Sequence, residues 1–341
     1  MIAFVTTRAG RRTIDDYLAG IAVDLRRLVT VWTYEDLARR FAAQTLPNAT
    51  IVFTDIERLT ATEAERAAHI CDALAATPER WRTLNHPRRT LRRLPLLERL
   101  YAEGVNDFRA WPATREQPDD VQFPVFLRIA DDHAGARSDL LHDRASLSAA
   151  VRDLDARWIA CEYRPHVGEG VFIKYGAFIL RGQIHPRHVM FSPHWIVKSN
   201  ELTTSRTMHA SWVYLNTNPH ADTLAHIARL AYVDYGRIDY VALPNGRVRV
   251  WEINTNPHLC SLVTLADRPR RVLHDAWHQR FAQALRALDL ELPSGRATPT
   301  IFDRMRWRAL RSTTPMIPML GIERAAWRWA YWAYTKAGRR G

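Results

Sequence analysis

Asp239, Glu252 and Asn254 are the residues of this chain whose types and spacing point most directly to chemistry. They lie in YGRIDYVALPNGRVRVWEINTNP, residues 235–257. Apolar alternation on both sides of Pro244-Asn245-Gly246 predicts a hairpin over 238–254. Side chains alternate along a strand, so Glu252 and Asn254 share a face, and the turn brings Asp239 back opposite Glu252. Three oxygen donors then converge, a set that suits Mg²⁺ completed by substrate phosphates. Arg237, two residues before Asp239, points to the same face and can meet an anion there. Val241, Val250 and Ile253 imply half-buried flanks. Charged and amide groups gathered on such a face are costly unless something pairs with them.

The elements that position these residues follow from the hydrophobic pattern. Strands are expected at 2–6, 29–32 and 50–54, and helices at 15–28, 34–43 and 63–76. Thr33 is the N-cap candidate of the second helix, with Asp36 three residues on. This alternation predicts a small open α/β unit over 1–85. Residues 78–120 form a connection that contains an Arg- and Leu-rich helix in NHPRRTLRRLPLLERLYAEGV. FPVFLRI (123–129) and WIACEY (158–163) read as strands, separated by the polar DDHAG loop at 131–135. A hairpin over 174–189 turns at Arg181-Gly182, and helices are expected at 220–235 and 272–288. LPSGRATPT (292–300) reads as a linker.

Composition sets the limits. The 341 residues are 47% apolar and 25% charged, an ordinary soluble globular balance. At roughly 100–200 residues per domain, two or three lobes are expected. No apolar run reaches the ~18 residues of a membrane span. The widely spaced Cys71, Cys161 and Cys260 exclude a disulfide framework and a Cys-based zinc site, so a reducing cytoplasm is the default. His185, His188 and His194 match no standard zinc spacing and read as hydrogen-bonding or substrate-contact groups. The net charge is +12, and residues 300–341 hold nine Lys/Arg against two acids. Only Lys174, Lys198 and Lys336 interrupt an otherwise all-arginine basic set, a mild sign that a compact ammonium is wanted there.

The string R-I-D, then twelve residues, then E-x-N-x-x-P resembles the signature of the ATP-grasp superfamily, which includes D-alanine–D-alanine ligases and ribosomal-protein glutamate ligases. The resemblance covers about residues 85–265. It implies an α/β (α+β) ATP-grasp fold preceded by a small open α/β domain. The domains are then 1–85, 86–291 in two lobes (about 86–165 and 166–291), and a linker with basic tail over 292–341. Asp239, Glu252 and Asn254 would hold Mg²⁺ on ATP, and Arg237 would stabilise the reacting acyl phosphate. Arg128 stands where the family places a phosphate lysine, and the following loop has one glycine instead of several; both are departures. WIACEY resembles the hinge strand beside adenine, with Glu162 near the amino group or ribose and Tyr163 and Arg164 supplying backbone contacts. Lys174 and Lys198 fall among the phosphate-binding positions, Lys198 toward the γ-phosphate. Another phosphate cation is expected among Arg89, Arg92 and Arg93.

The implied activity is Mg-ATP-dependent ligation, in which a small-molecule or peptide carboxylate is activated as an acyl phosphate for attack by an amine or similar nucleophile. Two alternatives stand beside it. One is an ATP-dependent phosphotransferase on the same fold. The other is a non-catalytic ATP-grasp-like protein that binds nucleic acid or membrane. The tail, with Trp307, Trp327, Trp329 and Trp332 among its arginines, suits a helix docked on the enzyme, an anionic membrane surface or nucleic acid. A cytoplasmic protein, peripheral at the membrane through this tail, is the matching location.

Overall fold

Apolar strands alternating with capped helices build the first layer. In the computed structural model, which describes residues 1–165, 167–168, 170–259 and 268–290, strands β1 (Ile2–Thr6), β2 (Val29–Thr33), β3 (Ala49–Phe53) and β4 (Trp81–Leu84) form a parallel sheet in the order β2-β1-β3-β4. Helices α1 (Arg12–Gly20), α2 (Tyr34–Ala42) and α3 (Ala61–Ala75) connect them. Thr33 and Thr60 each close a capping box, with Asp36 and Glu63, which satisfies donors that the first turn leaves open. The central strands β1 and β3 are wholly buried, as a parallel sheet covered on both faces requires, while the edge strand β4 is only partly buried.

The first helix is shorter than its pattern suggested. It stops at Gly20, where Tyr17 O accepts from both Ile21 N and Ala22 N, and a 3₁₀ turn over Val23–Arg27 follows. Strand β4 has no counterpart among the expected strands. Its sequence, WRTL, carries little apolar alternation, and it lies at the sheet edge beside β3. The Arg- and Leu-rich segment is helical only over α4 (Arg93–Ala102), with Pro95 tolerated in the first turn.

A second, antiparallel sheet has the order β5-β7-β6, from β5 (Ala110–Pro112), β6 (Val125–Ile129) and β7 (Trp158–Glu162), with α5 (Arg144–Val151) between the last two. The third sheet joins β8 (Val167–Gly168), β9 (Val171–Leu180), β10 (Gln183–Ser192), β11 (Tyr235–Ala242) and β12 (Val248–Asn254). Its main path is β10-β9-β11-β12, all antiparallel. Helices α6 (Ser205–Thr217) and α7 (Ala221–Leu230) pack on one face and α8 (Arg268–Leu290) on the other. The helix expected to run to residue 235 ends earlier. Tyr232 turns the chain with φ +54°, and Asn85 then receives the backbone N–H groups of Asp234 and Tyr235 as β11 begins.

All three sheets belong to one compact unit, Met1–Ser294. No helix among the described residues is long and apolar enough to cross a membrane. Cys260 and the linker and basic tail over 292–341 lie outside the described residues.

Candidate active site

The register of the third sheet sets the site. Asp239 pairs with Glu252 and Arg237 pairs with Asn254 across β11 and β12. On the other side of β11, Asp239 pairs with Gly176 of β9, which pairs with His188 of β10. One row across the sheet therefore reads His188, Gly176, Asp239, Glu252. The opposite face carries Ile238, Tyr240, Val250 and Ile253 into the core beneath α6 and α7. Ile238 and Ile253 commit the alternate positions to the core, and a register shift that skips Trp251 moves Glu252 to the face opposite Val250.

Each carboxylate is held by cations. Arg237 forks onto Asp239, Nε to Oδ1 at 2.7 Å and Nη2 to Oδ2 at 3.1 Å, and Lys174 Nζ lies 3.5 Å from Oδ2. Arg93 Nη2 donates to Glu252 Oε2, and Arg128 Nη2 lies 3.6 Å from the same oxygen. Burial pushes the Glu252 carboxyl up, but Arg93 and then Arg128 outweigh it and hold the group well below the usual carboxylate range. Asn254 Oδ1 accepts from Asn256 N at 2.7 Å, and its amide faces His133 Nδ1 at 3.4 Å.

Of the three arginines left open by the sequence, Arg93 reaches the site. Arg89 is exposed, and Arg92 donates to Leu59 O at 2.6 Å. Arg93 is selected because its helix starts beside β12, with a side chain 4% exposed that also donates to the carbonyls of Ala130 and Asp132. A local pattern contains no trace of that long-range placement.

Lys198 arrives from the segment after β10 and donates to His133 O at 3.3 Å and to Ala134 O. It therefore anchors the loop at 131–135 from outside. Gly135 has φ +91°, and a methyl there would overlap the Lys198 ammonium, which explains the single glycine. Burial, with Lys174 and Arg128 adding to it, pushes Lys198 down to about 8.

Glu162, Tyr163 and Arg164, the residues expected beside adenine, are tied into the protein's own hydrogen bonds. Glu162 has a side chain 1% exposed and accepts from Arg109 N, Nε and Nη2, Gln122 N and Arg164 Nη2. Its carboxylate is therefore occupied by protein donors rather than turned to open space. Tyr163 N donates to Pro124 O at 2.8 Å, and Arg164 also donates to Gln122 Oε1 at 2.6 Å. Trp195 sits edge-on to both Tyr163 and Phe126, with centroids 5.3 and 5.4 Å apart. These rings form an apolar patch beside the hinge that sequence reading did not anticipate.

Among the described residues no three His, Cys, Asp or Glu side chains are placed to hold a metal ion. The candidate set has two carboxylates and one amide, all hard oxygen donors, and fits a Mg²⁺ whose shell is completed by phosphate and water. Around those two carboxylates stand Arg93, Arg128, Lys174 and Arg237, with Lys198 close to Lys174 and Arg128. Asp132 also acts on Arg128 and Lys198, and five cations against these three carboxylates leave a positive surplus suited to a polyphosphate. Cys71 and Cys161 are buried thiols that burial pushes up to about 11, so they serve as packing residues.

This architecture is the ATP-grasp fold. The chain matches the crystal structure of D-alanine–D-alanine ligase from Bacillus anthracis at 11% identity and a TM-score of 0.50, covering 84% of this chain and 98% of that one. An ATP-grasp ligase solved with a minimal precursor matches at 12% identity and TM-score 0.48, over 83% and 99% of the two chains. D-cycloserine synthetase matches at 17% and 0.45, over 84% and 100%. No protein-family model and no curated protein matches the sequence.

Proposed function

We propose that this protein is a Mg-ATP-dependent ligase that activates a carboxylate as an acyl phosphate for attack by an amine or similar nucleophile. The observation that carries the reading is the register row on β11 and β12. It sets Asp239 against Glu252 and Arg237 against Asn254, within a rim of buried cations. Asp239, Glu252 and Asn254 would hold Mg²⁺, which when bound neutralises charge on the β- and γ-phosphate oxygens.

The remaining work falls to the chain's own side chains. Arg128, Lys174 and Lys198 neutralise the nucleotide phosphates, and Arg93 orients Glu252 from below. In the reaction a substrate carboxylate oxygen attacks the γ-phosphorus and ADP leaves. The amine then attacks the acyl carbon, the acyl C–O bond to phosphate breaks, and the amine's proton leaves with the phosphate. Arg237 is positioned to stabilise charge on the transferring phosphoryl group and on the tetrahedral oxyanion. Its link to Asp239 fixes the guanidinium before substrate arrives. Tyr163, Arg164 and the Phe126–Trp195 patch are proposed to border the base, with Glu162 bracing that strand.

The test is ADP release by the full chain with Mg²⁺ and ATP, alone and with pooled carboxylic acids and amines. Release that requires both an acid and an amine supports the ligase. Release with a single co-substrate identifies a phosphotransferase. Absence of ATP binding overturns the reading.

A further inference from the structure

From β1 the chain first adds β2 on one side and then β3 on the other. That reversal opens a crevice beyond the carboxyl ends of β1 and β3, the place where open α/β sheets bind ligands. Here the crevice receives a side chain of the protein itself, Asn256, which lies two residues beyond Asn254. Its Nδ2 donates to Gly10 O at 2.9 Å and to Thr6 Oγ1 at 3.3 Å, and its Oδ1 accepts from Thr13 Oγ1 at 2.8 Å. Both ends of the amide are engaged, and the residue is 7% exposed.

The crevice is shaped around this amide. A Cβ on Gly10 would stand 2.5 Å from Asn256 Nδ2 and 2.6 Å from Thr6 Oγ1 and would overlap Asp55 Oδ2, so glycine alone lets the loop after β1 close this tightly. Thr7 Oγ1 donates to Asp55 Oδ2 and accepts from Gly10 N at 3.0 Å, which ties that loop to the end of β3. The neighbouring Thr255 is seated on the same side. Its Oγ1 accepts from Ile56 N at 3.1 Å and donates to Glu57 Oε2 at 2.5 Å. Two consecutive residues after β12 therefore rest on the ends of the parallel sheet.

The link to the metal site runs through one backbone group. Asn256 N donates to Asn254 Oδ1 at 2.7 Å, and that oxygen is the one assigned above to Mg²⁺. An amide oxygen has two lone pairs, so this bond occupies one and leaves the other for the metal. It also decides which end of the Asn254 amide is which, with Nδ2 turned to His133.

We propose that Asn256 is a positioning residue for the metal: seated in the crevice between β1 and β3, it holds the backbone N–H that aims Asn254 Oδ1. This rests on the ligase reading, in which Asn254 is a Mg²⁺ ligand. A group that orients a metal ligand from behind changes metal affinity when it is removed. A group that merely ties two parts of the fold together changes stability and leaves the metal requirement alone.

The experiment titrates Mg²⁺ into the full chain with a non-hydrolysable ATP analogue and measures analogue binding calorimetrically, with parallel titrations in EDTA. The variants are Asn256→Ala, Thr13→Val and Thr13→Ser, and thermal melting reports the fold of each. Thr13→Val keeps the side-chain shape and removes the hydroxyl that meets Asn256, whereas Thr13→Ser keeps the hydroxyl. Asn256→Ala should raise the Mg²⁺ concentration for half-maximal binding ~10- to 100-fold and leave the affinity in EDTA unchanged. Thr13→Val should raise it ~2- to 10-fold, the scale of one neutral hydrogen bond, and Thr13→Ser should restore it. A lower Tm with an unchanged Mg²⁺ requirement makes Asn256 a structural tie and overturns the proposal. Equal weakening with and without Mg²⁺ overturns it too. If Asn256→Ala does not fold, the Thr13 pair decides on the same readouts. Wild-type binding that does not depend on Mg²⁺ overturns the ligase reading, and the proposal with it.

Discussion

Glu252→Gln separates the chemical role of the site from its structural role. The substitution keeps the volume and one carbonyl acceptor and removes one negative charge. Arg93, 4% exposed, then faces an amide, and Arg128 loses the carboxylate oxygen 3.6 Å away. Breaking one side of a buried ion pair typically costs about 3–5 kcal/mol. Three features reduce this: Gln still accepts one bond, the Glu252 side chain is 16% exposed, and Arg93 keeps the carbonyls of Ala130 and Asp132. The expected loss is about 2–3 kcal/mol, or a Tm lower by about 3–5 °C in a unit of this size. The loss should depend on pH with a defined sign. Glu252 titrates below its ordinary value of 4.5. Its ion-pair stabilisation is therefore fully present above that value and is lost as pH falls through the depressed one. Denaturant titrations of wild type and variant should differ by a constant amount from pH 8 to 5 and converge below about 4.5. ADP release should fall at least ~100-fold, because the metal loses an anionic ligand. A folded variant with wild-type turnover would falsify the metal assignment. A stability difference that grows toward acid would refute the electrostatic reasoning.

Three further outcomes are expected. Lys198, pushed down to about 8, loses its proton as pH rises through that value, so the KM for ATP should climb between pH 7 and 9. Lys198→Arg should flatten that rise, and an unchanged pH profile in the variant would remove Lys198 from the phosphate site. Gly135→Ala forces a left-handed backbone onto a residue with a Cβ and displaces the Lys198 ammonium. It should cost about 1–3 kcal/mol of local strain and raise the KM for ATP, and native-like kinetics would show that the loop and lysine act independently. Glu162→Gln strips charge from a carboxylate serving five donors at 1% exposure. Urea unfolding should report a loss of about 3–5 kcal/mol, and a loss under 1 kcal/mol would contradict its bracing role.

How much of this was legible beforehand differs from residue to residue. The shared sides of Arg237 with Asp239 and of Glu252 with Asn254 follow from strand alternation. The regular register from the turn would set Asp239 opposite Trp251, and it is a register shift between Asp239 and Tyr240 that brings it opposite Glu252. Thr33 closes its expected capping box because a cap is set by residues three apart. The parallel order of the first sheet is likewise close to what alternating strands and helices impose. Strands β4 and β5 were not legible. They are short and weakly patterned, and each is defined by the neighbour it pairs with rather than by its own residues.

Local sequence therefore determined which residue types could form a site and which of them share a face, since strand period and turn geometry act over a few residues. The tertiary structure alone decided what surrounds them. It chose Arg93 over Arg89 and Arg92, committed the Glu162 carboxylate to Arg109 and Gln122, set Lys198 against Gly135, and seated Asn256 against Gly10. Those contacts join positions 40 to 246 residues apart, and burial and charge act through space, so no window of sequence contains them.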